Sequence, residues 1–426
     1  MEKRYLGEWL TLPSALTPPL AVEVLPHGVT IHRIIIQVEG KTHDILIGPE
    51  NPKDYETFKY TNTIIGRYAN RVWVGEHTVK KDGFERLTRP VKNESPEVSL
   101  HGGLLGFDFA VWQRLPLENA KLFTPAEIRT IQNSSTSESS DNTAIYAHTS
   151  EDGDQGYPGE LYLETLVALL PPAKGEKGKV GSIVILYRAR LVNEGVTPIN
   201  LTHHWGFNLD ASLQGDESGK DKLSVKNHRL SIKASHTAEL LPNSLPSGKY
   251  CPVGGTVHEH NDKLIKDGFP NHGYDHYYLL APRPGVKLAQ HRLSAKEFDA
   301  AKAGQGEELD IVKEIFESTN EMVVELKSEK SGLKVDFDSN RAGLMFYTNN
   351  HPNKQFRKKI HGGSGTKDDG YINGSAAFLE FHEPLSAFLN HEATPNTTDT
   401  LLTSNEIYNN FVRVDIFVDS EGVCGS

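Results

Sequence analysis

Apolar and polar residues alternate singly along much of this chain, the period of a half-buried strand rather than of a helix. Segments of this kind, or short apolar runs rich in β-branched and aromatic residues, are "VTIHRIIIQV" (29–38), "GSIVILYRARLV" (181–192), "EMVVELKS" (321–328), "GLMFYTN" (343–349) and "FVRVDIFV" (411–418). Gly, Pro, Asn or Asp bounds each of them. Helical spacing is scarce, with short candidates at "SAKEFDAAKAG" (294–304) and "TSNEIYNNF" (403–411). Many strands without an alternating strand–helix pattern predict an all-β fold, an antiparallel β-sandwich or barrel with few short helices. Polar stretches near 133–143, 213–222, 303–310 and 357–370 read as surface-loop insertions, since strand signals resume on both sides of each. The expectation is one domain over residues 1–426.

One segment carries the pattern and a chemical question together. In "PINLTHHWGFNLD" (198–210), Ile199, Leu201, His203, Trp205, Phe207 and Leu209 fall on one face of a strand, and Asn200, Thr202, His204, Gly206, Asn208 and Asp210 on the other. Each face receives one histidine. His203, among Leu, Trp and Phe, is expected in the core with a satisfied hydrogen bond. His204, on the polar face, is a candidate proton donor, because imidazole titrates near neutrality. The competing reading is a purely structural hydrogen-bonding role. "SAAFLEFHEPLSAF" (375–388) raises a matching question, since its alternation groups Phe378, Glu380 and His382 against Leu379 and Phe381. A carboxylate in mid-strand beside aromatics is rarely buried unless paired or functional. Glu383, just before Pro384, is expected at the strand end and solvated.

Three further stretches carry candidate ligand groups. "TIIGRYANRV" (63–72) offers Arg67, Asn70 and Arg71 around a Gly66 turn, as donors to ligand hydroxyls or as an arginine satisfying loop carbonyls. "LHGGLLGFDFAVW" (100–112) sets His101 before two glycines able to adopt positive φ. The same trio recurs in "IHGGSG" (360–365), where His361 reads as a loop residue without a role in a site. In "NHGYDHYYLL" (271–280), Asp275 opens a strand and either accepts from sugar hydroxyls or caps a turn. His258 and His260 in "HEHND" lack a further matched pair for a metal, and HExxH, CxxC, GxSxG and P-loop patterns are absent. A site without cofactor or metal is expected.

Composition narrows partners more than chemistry. A formal charge of −11 disfavours nucleic acid and anionic membrane, both of which demand a basic face. Cys251 and Cys424 are too few for a secreted disulfide framework. No signal-peptide core or membrane-length apolar run is present, and the sequons at 133 and 396 are matched by one at Asn200 inside the strand just described. A cytoplasmic protein, monomeric or homodimeric, is expected.

In order along the chain, "IIGRYANRV", "LHGGLLGFDFAVW", "DGDQGYPGEL" (152–161), "INLTHHWGFNL", "GYDHYY", "GLMFYTNN" and "FLEFHEP" resemble the galactose mutarotase (aldose 1-epimerase) family. The resemblance implies a β-sandwich of the supersandwich type, no metal or organic cofactor, and interconversion of the α and β anomers of a free aldose. It places the family's general acid on His204 and its general base on Glu380. The family's substrate contacts fall on Asn70, Arg71, His101 and Asp275. The strand alternation had independently set His204 and Glu380 on polar faces. Four positions depart from the pattern around the expected pocket: Gly206 replaces an aromatic, Met345 and His382 replace glutamines, and His203 stands where Asn is common. The expected consequences are a roomier pocket at Gly206 and a preferred aldose that need not be galactose. A sugar-binding or regulatory protein on the same fold and, further off, a glycoside hydrolase using Glu380 and Asp275 are the alternatives.

Overall fold

The computed structural model of the chain describes residues 2–14, 16–38, 40–135, 142–213, 223–352, 356–366, 369–390 and 399–418. Parts of three expected insertions (136–141, 214–222 and 367–368), the sequon at 396 and Cys424 lie outside the described residues. Two antiparallel sheets form the body. The larger, ten-stranded, runs through Thr143–Ser150, Leu161–Leu170, Lys179–Leu191, Glu406–Val418, Leu333–Ser339 and Val324–Ser328 at its centre. The second is six-stranded, in the order Gly206–Phe207, Ala377–His382, Gly343–Tyr347, Asp275–Leu280, Ala234–Leu240 and Pro246–Pro252. Among the described residues no helix is long and apolar enough to cross a membrane.

The alternation read from the sequence decides which side of each strand faces the other sheet. Leu379 and Phe381 enter the shared core with Trp205, Phe207 and Leu344, and Phe337 of the large sheet packs against Phe207 and Phe381 at ring separations of 5.2 and 5.6 Å. The opposite side of the large sheet is apolar as well, which is why Lys179–Leu191 reads as a nearly unbroken hydrophobic run. That side is covered by the helices Pro125–Ser134, Ala295–Lys302 and Ile311–Glu317. The first helix opens with a capping box, Thr124 with Glu127, behind Pro125. Glu127 is fully buried and takes a two-pronged hydrogen bond from Arg188 at 2.7 and 2.6 Å, tying helix to sheet. Of the two helical candidates, 294–304 holds the helix Ala295–Lys302, whereas 403–411 is strand. There Tyr408 and Phe411 pair with the long strand Lys179–Leu191 and Ile407 and Tyr408 with the short strand Arg292–Ser294, and tertiary pairing overrides the short helical spacing.

The 198–210 segment is not one continuous strand. Thr202–His203 pairs with Ile64–Ile65, and Gly206–Phe207 with the Ala377–His382 strand, so the chain passes from one pairing to the other between the histidines and the tryptophan. His203 is buried as expected, bonded to Tyr187 Oη at 2.9 Å and to the Val29 carbonyl at 3.0 Å. His361 is not in an open loop. It closes a single helical turn, Lys359–His361, and is buried between Tyr371 Oη and the Asp44 carbonyl, both at 2.8 Å.

Burial pushes the imidazoles of His27, His203, His361 and His382 down to about 4. In the unfolded chain they protonate near 6.5, so between about 6.5 and 4 the unfolded state binds more protons and stability rises with pH. Each group contributes on the order of 1 kcal/mol per pH unit across that window. The melting temperature is therefore expected to drop steeply as pH falls from about 6.5 towards 4. A flat profile over that range contradicts the burial of these side chains.

Candidate active site

Residues directly opposite one another on antiparallel strands present their side chains on the same face. On the six-stranded sheet, away from the shared core, one such row is Gly206, Phe378, Tyr347 and Asp275. The next is Glu380, Met345 and Tyr277. These rows floor a cavity of about 370 Å³ whose walls come from loops carrying Lys59, Tyr60, Asn70, Arg71, Glu94 and His101. All six residues singled out from the sequence, Asn70, Arg71, His101, His204, Asp275 and Glu380, line this one cavity.

Several wall residues lie in the left-handed region that non-glycine residues rarely adopt: Tyr60 (φ 74°), Asn70 (64°), His101 (51°), Ser244 (61°) and Asn349 (52°). Such backbone costs on the order of 1–3 kcal/mol per residue and persists only when its surroundings over-determine it. Asn93 supplies part of that support, donating to the carbonyls of Leu100 and Gly103 at 2.8 and 2.9 Å. Gly102 and Gly103 do take positive φ, but the close approach they permit is to Gly66 and Gln155 of the protein itself. Arg67 and Arg71 separate cleanly. Arg67 is buried and spends its guanidinium on loop carbonyls, including Pro158 and Gly159 at 3.0 and 2.8 Å. Arg71 faces the cavity, held by two 2.8 Å bonds to Glu94 that leave Nη1 for a ligand.

The chemical centre is the contact between His204 Nε2 and Glu380 Oε1, 3.2 Å apart. Both side chains are nearly shut off from water, 12% and 2% exposed. His204 Nδ1 and Glu380 Oε2 are buried and have no protein partner. Burial pushes the Glu380 carboxyl well above the usual range, with Asp275 adding and Arg71 opposing. Burial also pushes His204 down to about 4. Both directions disfavour charge on the two side chains. Asp275 is likewise raised by burial, against the pull of Arg71.

His101 stands edge-on to His204, ring centres 5.2 Å apart, and one of its nitrogens lies within 4.8 Å of a ligating atom on each member of the pair. Two imidazoles and a carboxylate at such spacing invite a metal. The tautomer argues otherwise. The Asn70 backbone N–H donates to His101 Nδ1 at 3.2 Å, which leaves the ring hydrogen on Nε2. His101 is then a fixed neutral donor into the cavity, with no lone pair to give a cation.

The sequence expectations need three corrections here. Glu383 is not solvated: it is buried, 3.7 Å from Arg341 Nη1 and 3.6 Å from His291 Nδ1, because the chain turns inward before Pro384. Of the four departures placed around the pocket, only Met345 lines it; Gly206 lies beneath the Phe378 ring, His203 is core, and His382 bonds back to the Glu383 carbonyl. Gly206 opens no extra room, since the Phe378 ring occupies the space beside it. His258 and His260 both hydrogen-bond to Tyr278 Oη, at 2.9 and 3.2 Å. Lining residues missed from the sequence include Lys59, Tyr60, Glu94, Tyr347 and Asn349. Phe378 was legible, since the alternation put it on the face of Glu380. Glu94 left no signal, lying in a polar loop like many others.

The model of the family described as aldose 1-epimerase matches residues 16–412. The galactose mutarotase of Mus musculus is 28% identical over 268 residues, covering 61% of this chain and 64% of that protein, so the match spans just under two thirds of that relative's length. The aldose 1-epimerase of Escherichia coli (strain K12) is 28% identical over 289 residues, 65% of this chain and 70% of the relative. In fold, the chain is similar to the crystal structure of a GalM/aldose epimerase homologue from C. elegans, with a TM-score of 0.66 at 16% identity, covering 97% of this chain and all (100%) of the other. It is also similar to galactose 1-epimerase from Lactobacillus acidophilus NCFM, with a TM-score of 0.62 at 17% identity over 97% and 99% of the two chains.

Two outcomes are expected. Nitrogen-15 NMR of the histidines should find His101 still in the neutral Nε2–H form where an ordinary imidazole titrates, because burial first, and then His204 and Arg71, hold its pKa well below the ordinary value; titration near 6.5 contradicts the assignment. Glu383→Ala should cost about 3–5 kcal/mol in chemical denaturation, as breaking a buried ion pair does. A loss under about 0.5 kcal/mol is what a surface carboxylate gives.

Proposed function

The chain belongs to the aldose 1-epimerase family, and from that premise we propose that it is a working epimerase, interconverting the α and β anomers of a free aldose in the cytoplasm without cofactor or metal. The observation that carries the proposal is the buried 3.2 Å contact of His204 with Glu380 at the floor of a polar cavity of about 370 Å³. Opening a cyclic hemiacetal requires a base for the C1 hydroxyl proton and an acid for the ring oxygen. A pair that carries one proton supplies both.

Glu380 is the base and His204 the acid. A C1 hydroxyl donating to the otherwise unpartnered Glu380 Oε2 stabilises the carboxylate and leaves the shared proton on His204. As Glu380 takes the C1 proton, the C1–ring oxygen bond breaks and His204 protonates that oxygen, giving the open aldehyde. The charged pair has become a neutral one, which is the direction burial favours. Rotation about C1–C2 presents the other carbonyl face, and the reverse transfers close the ring and restore both proton positions. Arg71, Asn70, His101 and Asp275 hold the remaining hydroxyls so that C1 stays over the pair.

Fresh α-D-glucose, α-D-galactose and further aldoses, followed by optical rotation with and without protein, test the reading. Faster approach to the same final rotation is expected. Binding without acceleration points to a sugar-binding protein, and release of sugar from a glycoside to a hydrolase; either result defeats the proposal. Glu380→Gln should keep the fold and lose about 10²–10⁴-fold in rate. The acid limb of the rate profile should lie below the 6.5 of an ordinary imidazole, because His204 resists a second proton down to about 4.

A further inference from the structure

Position 206 contributes no side chain beside the cavity floor, and its cross-strand partner is Phe378, which lines the cavity. A methyl group added at Gly206 would lie 2.7 Å from Phe378 Cζ and 2.9 and 3.0 Å from the two Cε atoms, so the ring rests directly on the glycine backbone. That backbone has no freedom to give way. Its N–H donates to Asn62 Oδ1 at 3.0 Å, its carbonyl accepts from Ile47 at 2.9 Å, and the Asn62 N–H grips the His204 carbonyl at 2.7 Å.

From this seat the ring reaches the chemistry. Its centre is 4.7 Å from that of His204 and 5.5 Å from that of Tyr347. It is the last ring of a continuous file, Tyr60, His101, His204 and Phe378, spaced 4.8, 5.2 and 4.7 Å apart. The imidazole of His204 is therefore held between two rings, with Glu380 at its Nε2. Hydrogen-bonding side chains reach the cavity mainly from the loop wall, through Asn70, Arg71 and His101, while Phe378 and Met345 give the floor beside the pair an apolar surface. The acidic side chains of the floor are Glu380 and Asp275, and the cations of the cavity, Lys59 and Arg71, come from the loop wall on its other side.

We infer that Phe378 is a positioning and specificity-determining residue: its ring, seated on Gly206, holds the His204 imidazole against Glu380 and forms the wall that accepts the carbon-bound hydrogens of a neutral aldopyranose. Gly206 is required because any side chain there pushes the ring into the cavity. The inference rests on the epimerase reading for its substrate and on geometry alone for its effect on His204.

The test uses Phe378→Leu, Gly206→Phe, and the exchange Gly206→Phe/Phe378→Gly, each checked for folding by circular dichroism. Phe378→Leu keeps apolar bulk without a flat ring, and should lower kcat by about 10- to 100-fold with a smaller rise in KM. It should also lift the acid limb, and the titration of His204 in the free protein, towards 6.5 as water reaches the imidazole. The exchange, which returns a ring to the same space from the other strand, should recover part of the lost kcat and lower the His204 titration again, whereas Gly206→Phe alone should not. A neutral aldose should be turned over in preference to the corresponding uronic acid. Unchanged kcat and His204 titration in Phe378→Leu, or an exchange variant no better than Gly206→Phe alone, overturns the inference. Failure of the wild-type protein to accelerate mutarotation defeats the epimerase reading instead, and the His204 titration still decides the positioning role.

Discussion

A carboxyl group and an imidazole 3.2 Å apart, both closed off from water, are most stable when they share one proton. Two protons place an unpaired cation in the pocket, and none leaves an unpaired anion. That constraint organises the site. In the mechanism we propose, it keeps an acid and a base ready at once at neutral pH, and it makes the neutral pair, the state that would accompany an open sugar ring, the one that burial favours. Asp275 and Arg71 pull the carboxyl in opposite directions, so its position reflects mainly its desolvation.

The fold explains how such a pair stays buried on the outside of a sheet. One side of the six-stranded sheet is committed to the core through Leu379, Phe381 and Phe207, which fixes Phe378, Glu380 and Met345 on the other. The loops that wall off this second side use unfavourable backbone at Tyr60, Asn70 and His101, and the same geometry that strains Asn70 aims its N–H at His101 and determines that ring's tautomer. Strain, tautomer and donor direction are thus one local arrangement. It leaves, in what resembles a metal-binding trio, a buried carboxyl–imidazole pair with a fixed donor beside it.

Much of this was legible in the chain because strand period is a strong signal. The split of His203 from His204 and of Glu380 from Phe381 followed from alternation alone, and both splits hold although the 198–210 segment is interrupted as a strand. What alternation does not carry is where a side chain goes once the strand ends. Glu383 looked solvated beside Pro384 and is buried, since its partners Arg341 and His291 are distant in sequence. Gly206 looked like an opening because the ring that fills it belongs to a residue 172 positions further along, reached only through cross-strand pairing. The 403–411 segment looked helical because local spacing says nothing of the two strands that flank it.

The central claim is that one shared proton on His204 and Glu380 drives anomer exchange. Magnetisation-transfer NMR between the α and β anomeric protons of an aldose at equilibrium, with catalytic protein present, tests it without depending on any net change in the sample. Exchange is predicted with the wild-type protein, on a plateau around neutral pH that falls when the pair gains a second proton or loses its only one, and it should slow about 10²–10⁴-fold in Glu380→Gln. Exchange that persists at the wild-type rate in Glu380→Gln, or that follows the titration of an ordinary imidazole near 6.5, contradicts the account.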